Sequence, residues 1–339
     1  MGTSSDKQTL LSSGREVYTS QSLSSGSGSF SATVGSLEEG KTYYYVAFME
    51  VLVDGAYRTV TGSVRSFTTT STSPSTGITA NDDWLELPAS PASLGSKYLV
   101  TPRADNSGKK VRNYTILYDP AYYASLWVAY PMYKGGNFGG TASSSWTVNP
   151  LIPAGKQSSV KKSYGTVDGV EYDRGHQIAN ADRSDGDMNA QTYYWTNSTP
   201  QIKQFNGVIW ANLEGQVRNA IPSSDTLYVV TGAVFKTVGG SETVKTFVNS
   251  NNDSKVVSVP NYYYKVLLKV RRSGGTITAA SAIGFWFTHE AHSGENWQNF
   301  ATSVDAIEQK TGFDFFANLP DGVEASAETN ANWTTFKNF

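Results

Sequence analysis

There is no cysteine among the 339 residues. That excludes disulfides, iron–sulfur clusters and thiolate zinc sites. It suits a periplasmic or surface protein that does without disulfides, and equally a cytosolic one. No apolar run approaches the about 20 residues that a membrane helix needs, so a helical membrane span is not expected. The opening MGTSSDKQTLLSSG lacks the charged-then-apolar pattern of a signal peptide. Met1-Gly2 reads as an expression start from which a natural leader has been removed. Charge is scarce as well: 17% of residues are charged, and the formal net charge is −2. No global field marks the chain as a nucleic-acid binder. Histidine is scarcer still, with three in the whole chain.

What is plentiful points to β structure. Hydrophobic residues make up 39% and aromatics 13%, with 20 Tyr and 31 Gly. This composition suits β-rich domains with many turns, and the length allows two domains or one large one. From about Arg15 to Thr69 the chain alternates as strands do, as in Phe30 to Val34 and Thr42 to Phe48, and Asp54-Gly55 signals a hairpin turn. The segments LEEGKTYYYVAF (37–48) and SFTT (66–69) resemble the second half of a fibronectin type III-like sandwich. Its first strands are short or missing, so residues 1–70 are expected to form a small, truncated all-β module for spacing or adhesion. Residues 71–83, rich in Thr and Ser with one Pro, read as a linker.

Residues 84–339 mix strand-like runs (114–118, 126–130, 227–231 and 262–270) with two helix-like ones, Gly207 to Asn219 and Ser303 to Lys310. In the first of these, Val208, Ala211, Leu213 and Val217 are expected to share an apolar face. The pattern is α+β. The region holds 22 Lys and Arg against 21 Asp and Glu. Any anion site within it must therefore be a local cluster of cations.

One histidine stands apart. His176, in EYDRGHQIANADRS (171–184), has polar neighbours unlike those of a buried strand. Asn197, Asn206, Glu214 and Arg218 follow it. Asn206 and Glu214 are eight apart, about 2.2 turns of a helix, so they point to nearly the same side. A histidine near pKa 6.5 is a suitable general base. An asparagine oxygen is a hard, neutral ligand that leaves the charge of Mg²⁺ undiminished, and Arg174 and Arg218 can clamp phosphate oxygens. Such a set suits phosphodiester hydrolysis.

The ordered motifs DRGH (173–176), T-x-Q after an Asn (199–201) and N-x-x-x-W-x-x-L-E (206–214) resemble the non-specific DNA/RNA endonucleases of the ββα-metal superfamily. The likeness runs from NYTILYD (113–119) to IEQKTGFDFF (307–316). It implies a ββα-metal nuclease domain over 84–339, with a central antiparallel sheet and flanking helices, acting on DNA and RNA. It further implies that His176 is the general base and Asn206 the sole direct protein ligand of Mg²⁺, with Mn²⁺ or another divalent cation as the alternative metal. Glu214 would order the metal's waters, and Asn197 would orient His176 or a neighbouring catalytic group. Arg174 and Arg218 would contact the phosphate, Asp173 would hold the DRGH turn, and products would carry 5′-phosphates. Members often dimerise, which allows a homodimer here; the existence of an inhibitor protein is left open, and the expected setting is secreted, periplasmic or cell-surface. Two departures from the family pattern stand out. Ala179 replaces a Pro after the histidine, and Pro131 stands where some members have a basic residue, with Lys134 the nearest substitute cation.

Each residue also has an ordinary reading. A lone histidine is more often a turn or surface residue. Asn206 alone reads as a helix N-cap. Glu214 alone is a solvated helix residue, and Arg218 a partner for Glu214 at i,i+4. His289 and His292 lack the spacing of a zinc protease and are expected in a plain exposed loop. Tyrosine runs such as 193–194 could stack on bases, though more often one ring of the pair is buried. The competing function is a surface nucleic-acid-binding or adhesion protein whose nuclease-like domain is inactive.

Overall fold

The computed structural model describes residues 2–13, 41–53, 56–68, 84–106, 109–134, 145–160, 163–183, 186–248 and 253–339. The chain divides into two compact units, Met1–Gly77 and Ile78–Phe339. In the first, helix α1 (Lys7–Ser13) precedes four strands: β1 (Thr42–Tyr45), β2 (Phe48–Val53), β3 (Ala56–Thr61) and β4 (Arg65–Thr68). β2 and β3 pair with Val53 opposite Ala56, the hairpin that Asp54-Gly55 predicts. β1 pairs with β4, bringing Tyr43 and Phe67 together with ring centroids 6.0 Å apart. The strand expected at Phe30 to Val34 and the linker at 71–83 lie outside the described residues.

The second unit is α+β. Its strands are β5 (Tyr98–Val100), β6 (Arg103–Asn106), β7 (Lys109–Arg112), β8 (Thr115–Asp119), β9 (Ala124–Met132), β10 (Gly165–Val167), β11 (Val170–His176) and β12 (Ser198–Ile202). They continue with β13 (Leu227–Val234), β14 (Thr246–Val248), β15 (Val256–Ser258), β16 (Tyr262–Ser273), β17 (Thr276–Thr288) and β18 (Ala301–Thr302). The helices are α2 (Asp187–Gln191), α3 (Ala211–Asn219), α4 (Val304–Thr311), α5 (Asp321–Ala327) and α6 (Trp333–Asn338). No helix among the described residues is long and apolar enough to cross a membrane.

Seven antiparallel strands form the centre, in the order β18-β17-β16-β13-β9-β8-β5. All eight residues of β13 are buried, because both faces of the sheet are covered. This is why the inner strands read as continuous apolar runs and not as a clean alternation. Alternation still sorts side chains between the faces. Tyr263 and Leu267 of β16 join a core with Phe205, Ile209, Trp210 and Leu213, whereas Tyr264, Val266 and Leu268 join another with Val304, Ile307 and Phe315. α4 starts where Ser303 caps it, its hydroxyl accepting from the Ala306 N–H at 3.1 Å. It ends at Gly312, whose φ of +72° is the left-handed conformation common just past a helix end.

On the first face lies a smaller antiparallel sheet, β10-β11-β12, with His176 opposite Ser198 at its end. The chain passes from β12 into α3 through a π-turn, Phe205–Trp210. The wide turn corrects the helical face expected from sequence. Phe205, Ile209, Trp210, Leu213 and Val217 are buried, and Val208 is 43% exposed. The same turn helps the site. At about 100° per residue, positions eight apart in a regular α-helix stand about 80° out of line. One i→i+5 turn takes up that excess and brings Asn206 and Glu214 closer to one face.

Candidate active site

β11 delivers Asp173, Arg174 and His176, and the π-turn delivers Asn206. The His176 ring packs against Trp146, with centroids 4.7 Å apart, and meets Tyr193 edge-on at 4.9 Å. Trp146 in turn stacks on Trp195 at 5.3 Å, and the Arg174 guanidinium lies 5.1 Å from the Trp146 ring centroid. Arg174 also donates to the Val160 carbonyl at 3.2 Å. Within this aromatic box His176 Nε2 is buried and finds no hydrogen-bond partner. Burial holds the imidazole down to about 4, and Arg174 pushes the same way. The ring is therefore neutral at neutral pH, the form that can accept a proton. A buried polar atom without a partner is costly, so native proteins keep few of them outside working sites.

Two backbone devices place this ring. The Asn197 side chain is fully buried. Its Oδ1 accepts from the Ile178 N–H at 3.0 Å, while its Nδ2 donates to the carbonyls of Ile178 at 3.0 Å and Thr192 at 2.8 Å. Asn197 thus clamps the chain two residues past His176. The second device is Gly175. The buried Gln201 side chain crosses it so closely that a Cβ there would lie 2.1 Å from Gln201 Oε1. Any side chain at 175 would push Gln201 out of place, along with the β11–β12 register that holds His176.

Asn206 does not cap a helix. It lies inside the π-turn, and its Nδ2 donates to Asp173 Oδ2 at 3.3 Å. The amide nitrogen is engaged by Asp173, so the oxygen is the end suited to a hard cation. Asp173 and Asn206 thereby tie the DRGH strand to the start of the helix.

Glu214 and Arg218 belong to a second, deeper group. Arg218 Nη1 donates to Asp182 Oδ1 at 2.8 Å, so its carboxylate partner is Asp182 and not Glu214. The Tyr130 hydroxyl donates to the other Asp182 oxygen at 3.0 Å. Lys265, buried on β16, donates to Thr231 Oγ1 and lies 4.9 Å from the Trp210 ring centroid. Burial pushes the Glu214 carboxyl up, while Lys265 and Arg218 pull it toward the charged form. Burial pushes the Lys265 ammonium down, and Glu214 opposes that. Arg218 and Asp182 pair directly, and Glu214 and Lys265 influence each other through their fields.

Lys134 stands apart, exposed in the turn after β9. Pro131 lies within β9 opposite Tyr228, and Ala179 is buried, 5% exposed, on the chain that follows His176. The remaining histidines correct the expectation of a plain exposed loop. His289 Nδ1 donates to the Pro260 carbonyl at 2.8 Å, and its Nε2 accepts from the Ile202 N–H at 2.8 Å. It fastens the end of β12 four residues before Asn206. His292 is 5% exposed and donates from Nε2 to the Thr288 carbonyl at 2.8 Å. Trp146, Lys265 and His289 were not legible as site supports. Each comes from a separate strand or loop, and no local spacing marks it. Tyr193 is buried at 7% exposure, edge-on to His176.

Known proteins resemble this chain in sequence, and one solved structure resembles it in fold. A nuclease of Nostoc sp. is 25% identical over 250 residues, covering 70% of this chain and 85% of that protein. A nuclease of Serratia marcescens is 28% identical over 205 residues, covering 60% and 72%. Mitochondrial endonuclease G of Bos taurus is 27% identical over 219 residues, covering 62% and 69%. The solved structure of an EndoG/EndoGI complex superposes with a TM-score of 0.51 at 21% identity, over 65% of this chain and 88% of that one, and shows the same fold. The family model described as DNA/RNA non-specific endonuclease matches residues 95–322, well over half of the chain. The chain belongs to the DNA/RNA non-specific endonuclease family and is a nuclease.

Proposed function

We propose that the protein hydrolyses phosphodiester bonds within DNA and RNA with little sequence preference, that it depends on one divalent cation, and that it leaves 5′-phosphate ends. The observation that carries this reading is the neutral imidazole of His176, held by ring contacts in its aromatic box. A general base needs a positioned, unprotonated nitrogen.

The donor set fits magnesium, with manganese or another divalent ion as the alternative. Asn206 would hold the cation through its amide oxygen, and Glu214 would hold water around it. When bound, the cation supplies positive charge for the phosphorane and the leaving 3′-oxygen. His176 takes a proton from the attacking water. Trp146 and Tyr193 keep the imidazole oriented and largely dry, so that its proton affinity responds to the substrate's charge. Arg174 would meet phosphate oxygens and Lys134 would add a cation at the rim, while Arg218, held by Asp182, would add its charge from behind the site. Asn197 and Asp173 position and do not react. Contacts of this kind read phosphate geometry and not bases, which accounts for broad substrate use.

We further infer that the protein works outside the cytoplasm in scavenging or defence, with the N-terminal strands as a fibronectin-like spacer. A homodimer and an inhibitor protein both fit this reading. Digestion of plasmid DNA and total RNA, with Mg²⁺ and with a chelator, tests the activity. Metal-dependent loss of both substrates is expected, with product ends that polynucleotide kinase labels only after phosphatase treatment. Products labelled without phosphatase, or degradation indifferent to the chelator, would contradict it.

A further inference from the structure

The other face of the central sheet carries a second group of acids. Asp305 and Glu308 lie one turn apart on α4, so their side chains project from the same side of that helix. Glu328 follows α5, and its carbonyl accepts the Val304 N–H at 2.9 Å, which fixes it beside the first turn of α4. One oxygen from each of the three carboxylates lies within 4.8 Å of the others. Glu328 is only 5% exposed, and its Oε1 is buried without a hydrogen-bond partner. Among the described residues no Lys, Arg or His pairs with any of the three. Lys310, on the same helix, lies instead over the Trp286 ring.

A buried carboxylate oxygen with neither donor nor cation is expensive, and acidic neighbours raise the cost. Burial, and then Glu308, Glu324, Asp305 and Asp314, push the Glu328 carboxyl up to about 9. A divalent cation held among the three would favour their charged forms and give the unpartnered Glu328 oxygen a partner. Calcium takes oxygen ligands at about 2.3–2.6 Å, so two ligands on opposite sides of one ion stand about 5 Å apart at most. The observed span of 4.8 Å falls inside that limit. Glu308 is held for the task, since its Oε1 accepts from the Phe315 N–H at 2.7 Å.

We propose that Asp305, Glu308 and Glu328 form a structural site for a divalent cation of the calcium type, on the face of the sheet opposite the nuclease site. The ion joins α4 to the end of α5 and completes the core around Val304, Ile307 and Ala327.

Isothermal titration of the chelator-treated full chain with Ca²⁺ tests this. An Asn206→Ala background weakens binding at the catalytic centre. In that background one calcium site is expected, together with a rise in thermal midpoint on adding Ca²⁺. Glu328→Gln should lower calcium affinity at least tenfold and remove the thermal rise. If Glu328→Gln fails to fold, Asp305→Asn, at a half-buried position, should give a smaller loss of the same kind. Calcium binding and thermal response unchanged in both variants would overturn the proposal, because Glu328 would then be a neutral buried acid. So would the absence of any calcium heat in the Asn206→Ala protein.

Discussion

Asn197 grips Ile178 by both ends of its amide, accepting the Ile178 N–H and donating to the Ile178 carbonyl, each at 3.0 Å. Two residues from His176, this clamp decides where the imidazole sits. Asn197→Ala would leave one buried N–H and two carbonyls unpaired. A loss of about 3 kcal/mol in stability is expected at about 1–3 kcal/mol for each group, less what water recovers. Turnover should fall while KM for DNA stays near wild type. Urea unfolding and steady-state kinetics check this; an Asn197→Ala protein of unchanged stability would refute the clamp.

Gly175 and Gln201 make a paired prediction. Gly175→Ala forces the new methyl into the Gln201 side chain and should cost about 1–3 kcal/mol, as overpacking does. Gln201→Ala opens the space, so the double variant should be more stable than the sum of the two single losses. A double-mutant cycle measures the difference, and strict additivity would show that the two side chains do not compete.

His289 predicts how the protein responds to acid. Burial holds its imidazole down to about 4 in the folded chain, below the ordinary value of about 6.5. A depressed folded value favours the neutral ring. The stabilisation is complete above about pH 6.5 and is lost as pH falls through about 4. Thermal midpoints should therefore drop between pH 6.5 and 4. His289→Gln keeps an acceptor for Ile202 N–H and a donor for the Pro260 carbonyl without titrating, so its drop should be smaller. Equal drops in the two proteins would remove His289 from the explanation.

The buried pair of Lys265 and Glu214 gives the opposite slope. Lys265→Met removes the ammonium whose field favours the charged form of Glu214. Burial already pushes Glu214 up, and losing the ammonium pushes it further. A carboxyl with a raised folded value is most stable protonated, so its stabilisation is present at low pH and lost as pH rises. The variant's deficit in thermal midpoint should be smaller at pH 6 than at pH 8. A deficit that does not change with pH would mean that the two groups are not coupled.

Much of this molecule was legible in its sequence, for identifiable reasons. The long inner strands announce themselves because a sheet covered on both faces needs unbroken apolar runs. α4 announces itself through its Ser303 cap and the Gly312 stop. His176, Asn206 and Glu214 are picked out by the ordered DRGH and N-x-x-x-W-x-x-L-E motifs, and the fold puts His176 at the end of β11 and the other two on the π-turn and α3. The misplacement of Val208 has a local cause. A π-turn shifts the helical phase, and a period of 3.6 cannot register the shift. Lys265, Trp146 and His289 escape for another reason. Lys265 belongs to the site only through the register of β16 on β13, Trp146 through packing in an irregular loop, and His289 through a hydrogen bond to a residue 87 positions away. Long-range pairing of this kind leaves no periodic trace.

The central claim is that the imidazole of His176 takes the proton from the attacking water. Single-turnover cleavage of a DNA duplex by wild type and His176→Ala, both in saturating Mg²⁺, tests it most directly. The account predicts a fall in rate of about 10²–10⁴-fold, with DNA affinity and thermal midpoint retained. A His176→Ala protein that cleaves within a few-fold of wild type would contradict it and move the base elsewhere.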